Sequence, residues 1–380
     1  YDLEGTFNHH IIPPKGLDKL TNHWEAQDAN WWPDFPTSAQ KIAWFYQEGA
    51  GRSVDGVLAI NVSIVPKLLD LFGPIEMQEY GKTLTSENFI LETQKAVELE
   101  YDREKNRPKQ ILADMAPILL QRIFATKQAD WPMVADIVHQ ALENREVQIF
   151  MQDNELQNMI EILNWSGSIK KSNSYQDFLM VVHSNIGGQK SDAVIDDQLF
   201  YTVTINEKTE RVMAQLTIER THNAQKGELF YEAQNNDYIR VYVPNGSKLV
   251  SVEGAGDASE LIAPAVATYA QFDNDVRRIE NNIRTDATSK TRVYEEFGKT
   301  VFANWLLTKP QTTNSITFTY ELPFQITEHD PSYNLLVQKQ SGIDEYDLSF
   351  MLQPPREWQA TTLEENTVQQ GEWHILEKKH

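Results

Sequence analysis

The sequence predicts an α/β domain followed by a mainly antiparallel β-sandwich domain. Three observations carry that reading. Helical-period segments alternate with short apolar strands as far as Trp165. Beyond it, short strands separated by turn residues take over. Between the two lies 166–175, rich in Ser, Gly, Lys and Asn, as a linker is. The expected division is 1–168 for the α/β domain and 175–356 for the sandwich. A partly helical insertion is expected near 257–290 and a C-terminal extension at 357–380.

In the first domain, Thr37 and Gln40 have capping-box spacing and predict a helix that ends at Gly49 and Gly51. Gly56–Ile60 is a short apolar run suited to a buried strand. Ile64–Phe72 reads as a helix with Pro66 in its first turn and Gly73-Pro74 after its end. A helix over 84–101 should be capped by Thr85. In 108–124, Ile111, Leu112, Met115, Ile118, Leu119 and Ile123 recur with helical period, and Pro117 should kink the element. Asp130 should cap the next helix, with Trp131, Val134, Val138, Ala141 and Leu142 on its inner face. Val147–Met151 reads as a strand. Asp153 should cap a last helix that buries Leu156, Met159, Ile160 and Leu163. In the second domain, strands are expected at 178–185, 199–206, 211–221, 238–243, 248–253, 301–307, 315–322, 333–338 and 346–352. A helical pattern interrupts them at 265–283.

Composition bounds the function. The 380 residues are 41% hydrophobic, enough for two cores. The formal net charge is -21, a surface that repels phosphate backbones, so nucleic acid is not an expected partner. There are no cysteines, which excludes disulfides, thiolate metal sites and a cysteine nucleophile. No apolar run approaches the roughly 18 residues of a membrane span. The chain opens at Tyr1 without Met or a signal peptide, which predicts a processed product or fragment whose membrane anchor lies outside it.

Two stretches could carry chemistry. Residues 27–36 hold two acids, an Asn, two Trp and two Pro; the prolines forbid a regular element, so this is a loop of fixed shape. Asp28 and Asp34, with the side-chain carbonyl of Asn30, suit a hard divalent cation such as magnesium. Asp and Asn in such loops also cap helices and bond their own backbone. Asp55 should lie beside this group, with Trp31 and Trp32 packed beneath it. The second stretch is 185–192, Asn-Ile-Gly-Gly-Gln-Lys-Ser-Asp. Gly187 and Gly188 could turn backbone N–H groups toward an anion and Lys190 could add charge; the same residues equally make a turn between strands. His183, in an apolar strand, reads as a core imidazole.

Asp28-Ala29-Asn30-Trp31, 33–39, Val54-Asp55-Gly56-Val57 and Gly73-Pro74-Ile75 together resemble the bacterial domain of unknown function 4012 family. Residues 185–192 and the run 297–302 look like its later landmarks. The resemblance implies an extracytoplasmic envelope protein held by an N-terminal membrane anchor. Relatives carry Arg-Asp where this chain has Gln27-Asp28. A more distant likeness, to the LytR-CpsA-Psr transferases, implies an activity on polyprenyl-linked or cell-wall glycan, with magnesium held by an acid and pyrophosphate by arginines. Gln27 replaces the arginine that fork-like recognition of phosphate requires. The function expected is therefore recognition or assembly of surface glycan, the alternative a non-catalytic surface interaction or adhesion protein.

Overall fold

The computed structural model describes residues 9–101, 107–128, 130–261, 263–327, 332–343, 347–355, 367–370 and 373–379, the last two ranges by backbone alone. Glu25–Ser168 form one compact unit; His9–Trp24 and the chain from Ile169 onward form the other. The first is an α/β unit and the second is β-rich.

In the first unit, helix Phe35–Ala50 begins where the Asp34 carboxylate accepts from the Thr37 N–H. Thr37 is thus the group capped and not the cap, and Pro36 sits in the first turn, where its missing N–H costs nothing. The helix ends at Gly51, whose left-handed backbone returns its N–H to the Gln47 carbonyl. Its Phe35 and Ala39 pack on Phe150. Phe150 lies in the ladder that pairs Gly56–Ile60 antiparallel with Val147–Met151. A second antiparallel pair joins Ile75–Met77 to Lys82–Leu84.

The larger core of this unit gathers Leu68 and Leu69 of Ile64–Phe72, Phe89 of Phe89–Glu98, Met115 of Gln110–Phe124 and Leu142 of Trp131–Glu143. Arg122 reaches back to donate to the carbonyls of Phe72, Gly73 and Pro74, capping the end of Ile64–Phe72. Several expectations are corrected here. Thr85 and Asn88 bond each other ahead of a helix that starts at Phe89. Asp130 occupies the cap position of its helix without a capping bond from its side chain. Trp131 and Val138 are exposed. Asp153 does cap Asn154–Ile162, through Glu155 and Leu156. That helix nevertheless buries none of its side chains, and Met159 (59% exposed) and Ile162 (79%) face outward.

The second unit is built on two sheets. One runs, edge to edge, Lys248–Glu253, Thr313–Gln325, Arg211–His222, Ile195–Ile205, Asp347–Gln353, Trp373–Lys379 and Thr367–Gln370. The expected extension 357–380 thus supplies two of its strands. The other runs Asn281–Thr285, Arg292–Glu296, Lys299–Thr308, Asn235–Pro244, Asp177–Val182 and Leu335–Val337. Pairing is antiparallel except where Asp347–Gln353 runs parallel to Ile195–Ile205 and Leu335–Val337 runs parallel to Asp177–Val182. Period-two alternation sends Leu199, Tyr201, Val203, Leu216, Ile218, Phe318 and Tyr320 of the first sheet into one core with Ile239, Val241, Phe302 and Leu306 of the second.

The stretch read as helical at 265–283 holds only the six-residue helix Asn274–Ile279, flanked by short strands. The start of the described chain also lies in this unit: Ile11–Ile12 runs parallel to Gln271–Phe272. Gly16 is pressed against Tyr238, whose ring a Cβ would meet at 2.4 Å; its φ of +101 bars other residues as well.

A carboxylate ties the two sheets together. Asp177 is fully buried, and its Oδ2 accepts from Tyr201, 2.6 Å away on the facing sheet, and from Tyr333. Tyr320 donates to Tyr201 at 3.0 Å. Burial pushes the Asp177 carboxyl up to about 6, against the pull of the two phenols and the Phe178 N–H. Because the folded value lies above the usual 3.8, this group favours folding below that pH and loses its contribution as pH rises toward 6. Relative to Asp177→Asn, the wild type should therefore lose about 2 kcal/mol of stability between pH 4 and pH 7. Urea unfolding of both proteins across that range measures it; a difference that stays constant with pH would remove the argument.

Candidate functional site

In the 27–36 loop, Asp28 ends a short 3-10 turn and Asn30 is exposed, while Trp31 and Trp32 are buried. The Ser38 hydroxyl accepts from the Trp32 N–H at 3.0 Å and donates to the Trp32 carbonyl at 2.9 Å, fixing the loop on the first turn of the helix. Asp34 is engaged by that same turn, since Thr37 donates to it from both its N–H and, at 2.6 Å, its hydroxyl. Asp55 is exposed at the mouth of strand Gly56–Ile60, and its carbonyl accepts from the Gln152 N–H. Among the described residues no three His, Asp or Glu side chains gather into a group able to hold a metal ion.

The 185–192 stretch closes on itself and on the core. The Asn185 amide donates to the Gly188 carbonyl and the Ser191 hydroxyl, and its oxygen accepts from the Asn236 N–H. Gly188 is required here: a Cβ would stand 2.0 Å from Asn185 Oδ1. Gly187 and Lys190 are exposed at the rim of the turn. Ser191 and Asp192 both accept from the Asn235 amide.

Asp192 also accepts from Arg220, and with it begins a buried charge network that the motif itself does not announce. Arg220 is 2% exposed. It donates to Asp197 at 2.6 Å, to Asn235 at 2.9 Å and to Asp192 at 3.1 Å, and pairs with Asp237 at 2.7 Å. Asp237 in turn faces His183, with Nδ1 to Oδ2 at 2.6 Å. Asp197 and Arg220 are cross-strand partners, and Asp237 and His183 come from the opposite sheet. The signal was present in the alternation Leu216, Ile218, Arg220, which puts a guanidinium on the core face.

Two surface features complete the inventory. An apolar hollow of about 300 Å³ lies on the α/β unit, lined by Trp131, Val134, Ala135, Val138, Leu142 and Trp165, with His139 at its side. On the seven-stranded sheet, Phe200 is 40% exposed on the face turned away from the core. Its cross-strand partners are Thr217 and Ser349. Thr317 stands beyond Thr217, and Thr202, Gln215 and Thr319 form the adjacent row. Thr217 and Thr317 share a hydrogen bond of 2.8 Å. Alternation with Leu199 and Tyr201 already put Phe200 outside; the sequence reading passed over it.

Asp34 is thus a helix cap by geometry. Asp34→Ala should cost about 1 kcal/mol of stability, the usual loss for such a cap. The loss should be equal in magnesium and in EDTA, as thermal unfolding reads directly. A loss that appears only in magnesium would instead make Asp34 a ligand.

Among solved structures, the M1 zinc metallopeptidase of Deinococcus radiodurans is 11% identical over 50% of this chain and 39% of its own, with a TM-score of 0.20. A Legionella pneumophila protein described as nutrient-binding is 9% identical over 53% of this chain and 67% of its own, with a TM-score of 0.27. The match thus spans about two-fifths of the peptidase, and likenesses this slight carry no argument about function. No curated protein matches the chain. Residues 14–97 match the model of a family described as Protein of unknown function (DUF4012). That segment contains the Asp28–Trp31 and Asp34–Pro36 loop, the Asp55-Gly56 strand entrance and Gly73-Pro74, so the likeness to the DUF4012 family rests on this part of the chain.

Proposed function

We propose that this is an extracytoplasmic cell-envelope protein that recognises surface glycan without transforming it. The observation that carries the reading is the Phe200 face. An exposed aromatic ring offers a surface on which the C–H face of a sugar stacks. The hydroxyls and amide of Thr202, Gln215, Thr217, Thr317, Thr319 and Ser349 can exchange hydrogen bonds with sugar hydroxyls. These side chains are uncharged in a chain of net charge -21, so a neutral saccharide meets no electrostatic opposition at the centre of the face. The apolar hollow beside Trp131 and Val138 has the character that the isoprenoid part of a polyprenyl-linked glycan requires. Membrane attachment, in this reading, comes from an anchor outside the chain. Phosphotransfer of the LytR-CpsA-Psr kind forms no part of the proposal, because Gln27 cannot supply a guanidinium.

The alternative, a surface interaction or adhesion protein, draws support from the outward Met159 and Ile162 of helix Asn154–Ile162. The two readings part in one experiment. Purified cell-wall polysaccharide should bind the wild type, and Phe200→Ala should weaken binding about tenfold, a loss of about 1.4 kcal/mol. Ile162→Asp should leave that binding unchanged. Equal affinity of the wild type and Phe200→Ala, or no polysaccharide binding by the wild type, would reject the glycan reading.

A further inference from the structure

We infer that the sandwich carries a proton-operated latch at one end of its core: protonated His183 clamps the chain around 183–192, and loss of that proton loosens it. The imidazole is buried, with Nδ1 2.6 Å from Asp237 Oδ2 and Nε2 without a hydrogen-bond partner among the described residues. Asp237 Oδ1 accepts from the Ser184 N–H at 2.8 Å, so the same carboxylate holds both the imidazole and the backbone that follows it. The charged groups that face the imidazole come from every element packed around it. They are Asp237 of Asn235–Pro244, in contact with the ring, and Asp197 of Ile195–Ile205 and Arg220 of Arg211–His222 behind it; Asp192 of Ser191–Val194, 46% exposed, pairs with Arg220 at the solvent side. Three carboxylates thus surround one guanidinium. An imidazolium leaves one negative charge in excess where a neutral ring leaves two, in a setting where water screens little.

What the latch holds is visible in the backbone. Past the ladder that joins Leu335–Val337 to Asp177–Leu179, the Gln338 N–H still donates to the Leu179 carbonyl, and two residues on the chain reaches His183. There the Gln340 side chain accepts from the His183 N–H at 2.7 Å and donates to its carbonyl at 3.1 Å, standing in for a strand partner. The 185–192 turn hangs from the same point through Asn185 and the Asn235–Arg220 group.

The direction follows from the competing effects on the ring. Burial lowers its proton affinity, but Asp237 and Asp197 raise it and prevail over Arg220, so His183 lies above its usual 6.5. A group raised on folding contributes its full stability below the unfolded value and loses it as pH climbs through the folded one. Mildly acidic solution therefore tightens this end and alkaline solution loosens it.

Hydrogen exchange of the 178–194 backbone, corrected for intrinsic rates, tests the idea between pH 5.5 and pH 9. Protection in the wild type should fall at least tenfold across that range. In His183→Gln, which cannot titrate, protection should be low and flat. A flat wild-type profile, or an equal fall in the variant, overturns the latch. Should the variant fail to fold, NMR titration of the wild-type His183 Cε1 proton decides: a midpoint above 6.5 supports it and one at or below 6.5 overturns it.

Discussion

The pairing of Arg220 with Asp237 is the constraint on which the β-rich unit depends. A guanidinium and a carboxylate removed from water each lose several kcal/mol of hydration, and only close, multiple hydrogen bonding returns it. Here Arg220 contacts Asp192, Asp197, Asn235 and Asp237, which come from one turn and two strands, one strand from each sheet. Removing one partner strands the others, whereas an apolar replacement of the whole group could be tolerated. The network therefore constrains register more than it adds stability. If Asn235–Pro244 slipped by one residue, Asp237 would leave the core face and Arg220 would lose its main partner.

Asp177 plays the corresponding part at the other end of strand Asp177–Val182, about 20 Å away at the usual rise per residue. It reaches across the core to Tyr201 as Asp237 reaches to Arg220. The chemistry differs, because the phenols only partly offset the effect of burial on Asp177 where a guanidinium keeps Asp237 ionised. Burial alone would raise the proton affinity of both carboxyls, yet Arg220 and His183 hold Asp237 below the usual carboxylate range. Strand Asp177–Val182 thus begins on a carboxyl that gains a proton readily, and just past its end His183 meets one, on the neighbouring strand, that does not. Between them Leu179 and Val181 are fully apolar and packed in the common core. Specificity sits at the ends of the strand and cohesion in its middle.

How much of this was legible in the sequence depended on whether a pattern was local. The strand grammar was, since alternation in Leu216–Ile218 and Phe318–Tyr320 needs only neighbours along the chain. The Asp153 cap was legible for the same reason. The failures were of two kinds. Helix Asn154–Ile162 has a plain apolar stripe, but periodicity says which face is apolar and not whether anything covers it, so Leu156, Met159 and Leu163 were expected inside and are exposed. The stretch around Asn274–Ile279 has helical composition, yet the paired strands beside it settle its conformation through partners distant in sequence. In the 185–192 motif, the glycines were visible and their reason was not. Gly188 is dictated by Asn185 Oδ1 and the Gln234 carbonyl, atoms whose approach exists only in the folded chain.

The same distinction explains why the residues that looked most chemical in the sequence are not the ones that carry the functional argument. Asp34, Asn185, Ser191 and Asp192 are reactive types in tight, conspicuous clusters, but each is occupied by a bond that shapes the backbone. A side chain that both holds a helix start and binds a ligand must give up one role to perform the other, at roughly the free energy of a cap. Phe200 carries no such burden. The inner face of its strand is already filled by Leu199, Tyr201 and Val203, so the fold does not need the ring, and its 40% exposure is apolar surface left in water. That cost to the free protein is recovered only when something covers the ring. A lone exposed hydrophobe is ordinary; one centred among Thr217, Thr317 and Ser349 on a regular sheet has neighbours that can orient what covers it. In the proposed reading, recognition is therefore better placed on this face than in the 27–36 and 185–192 stretches.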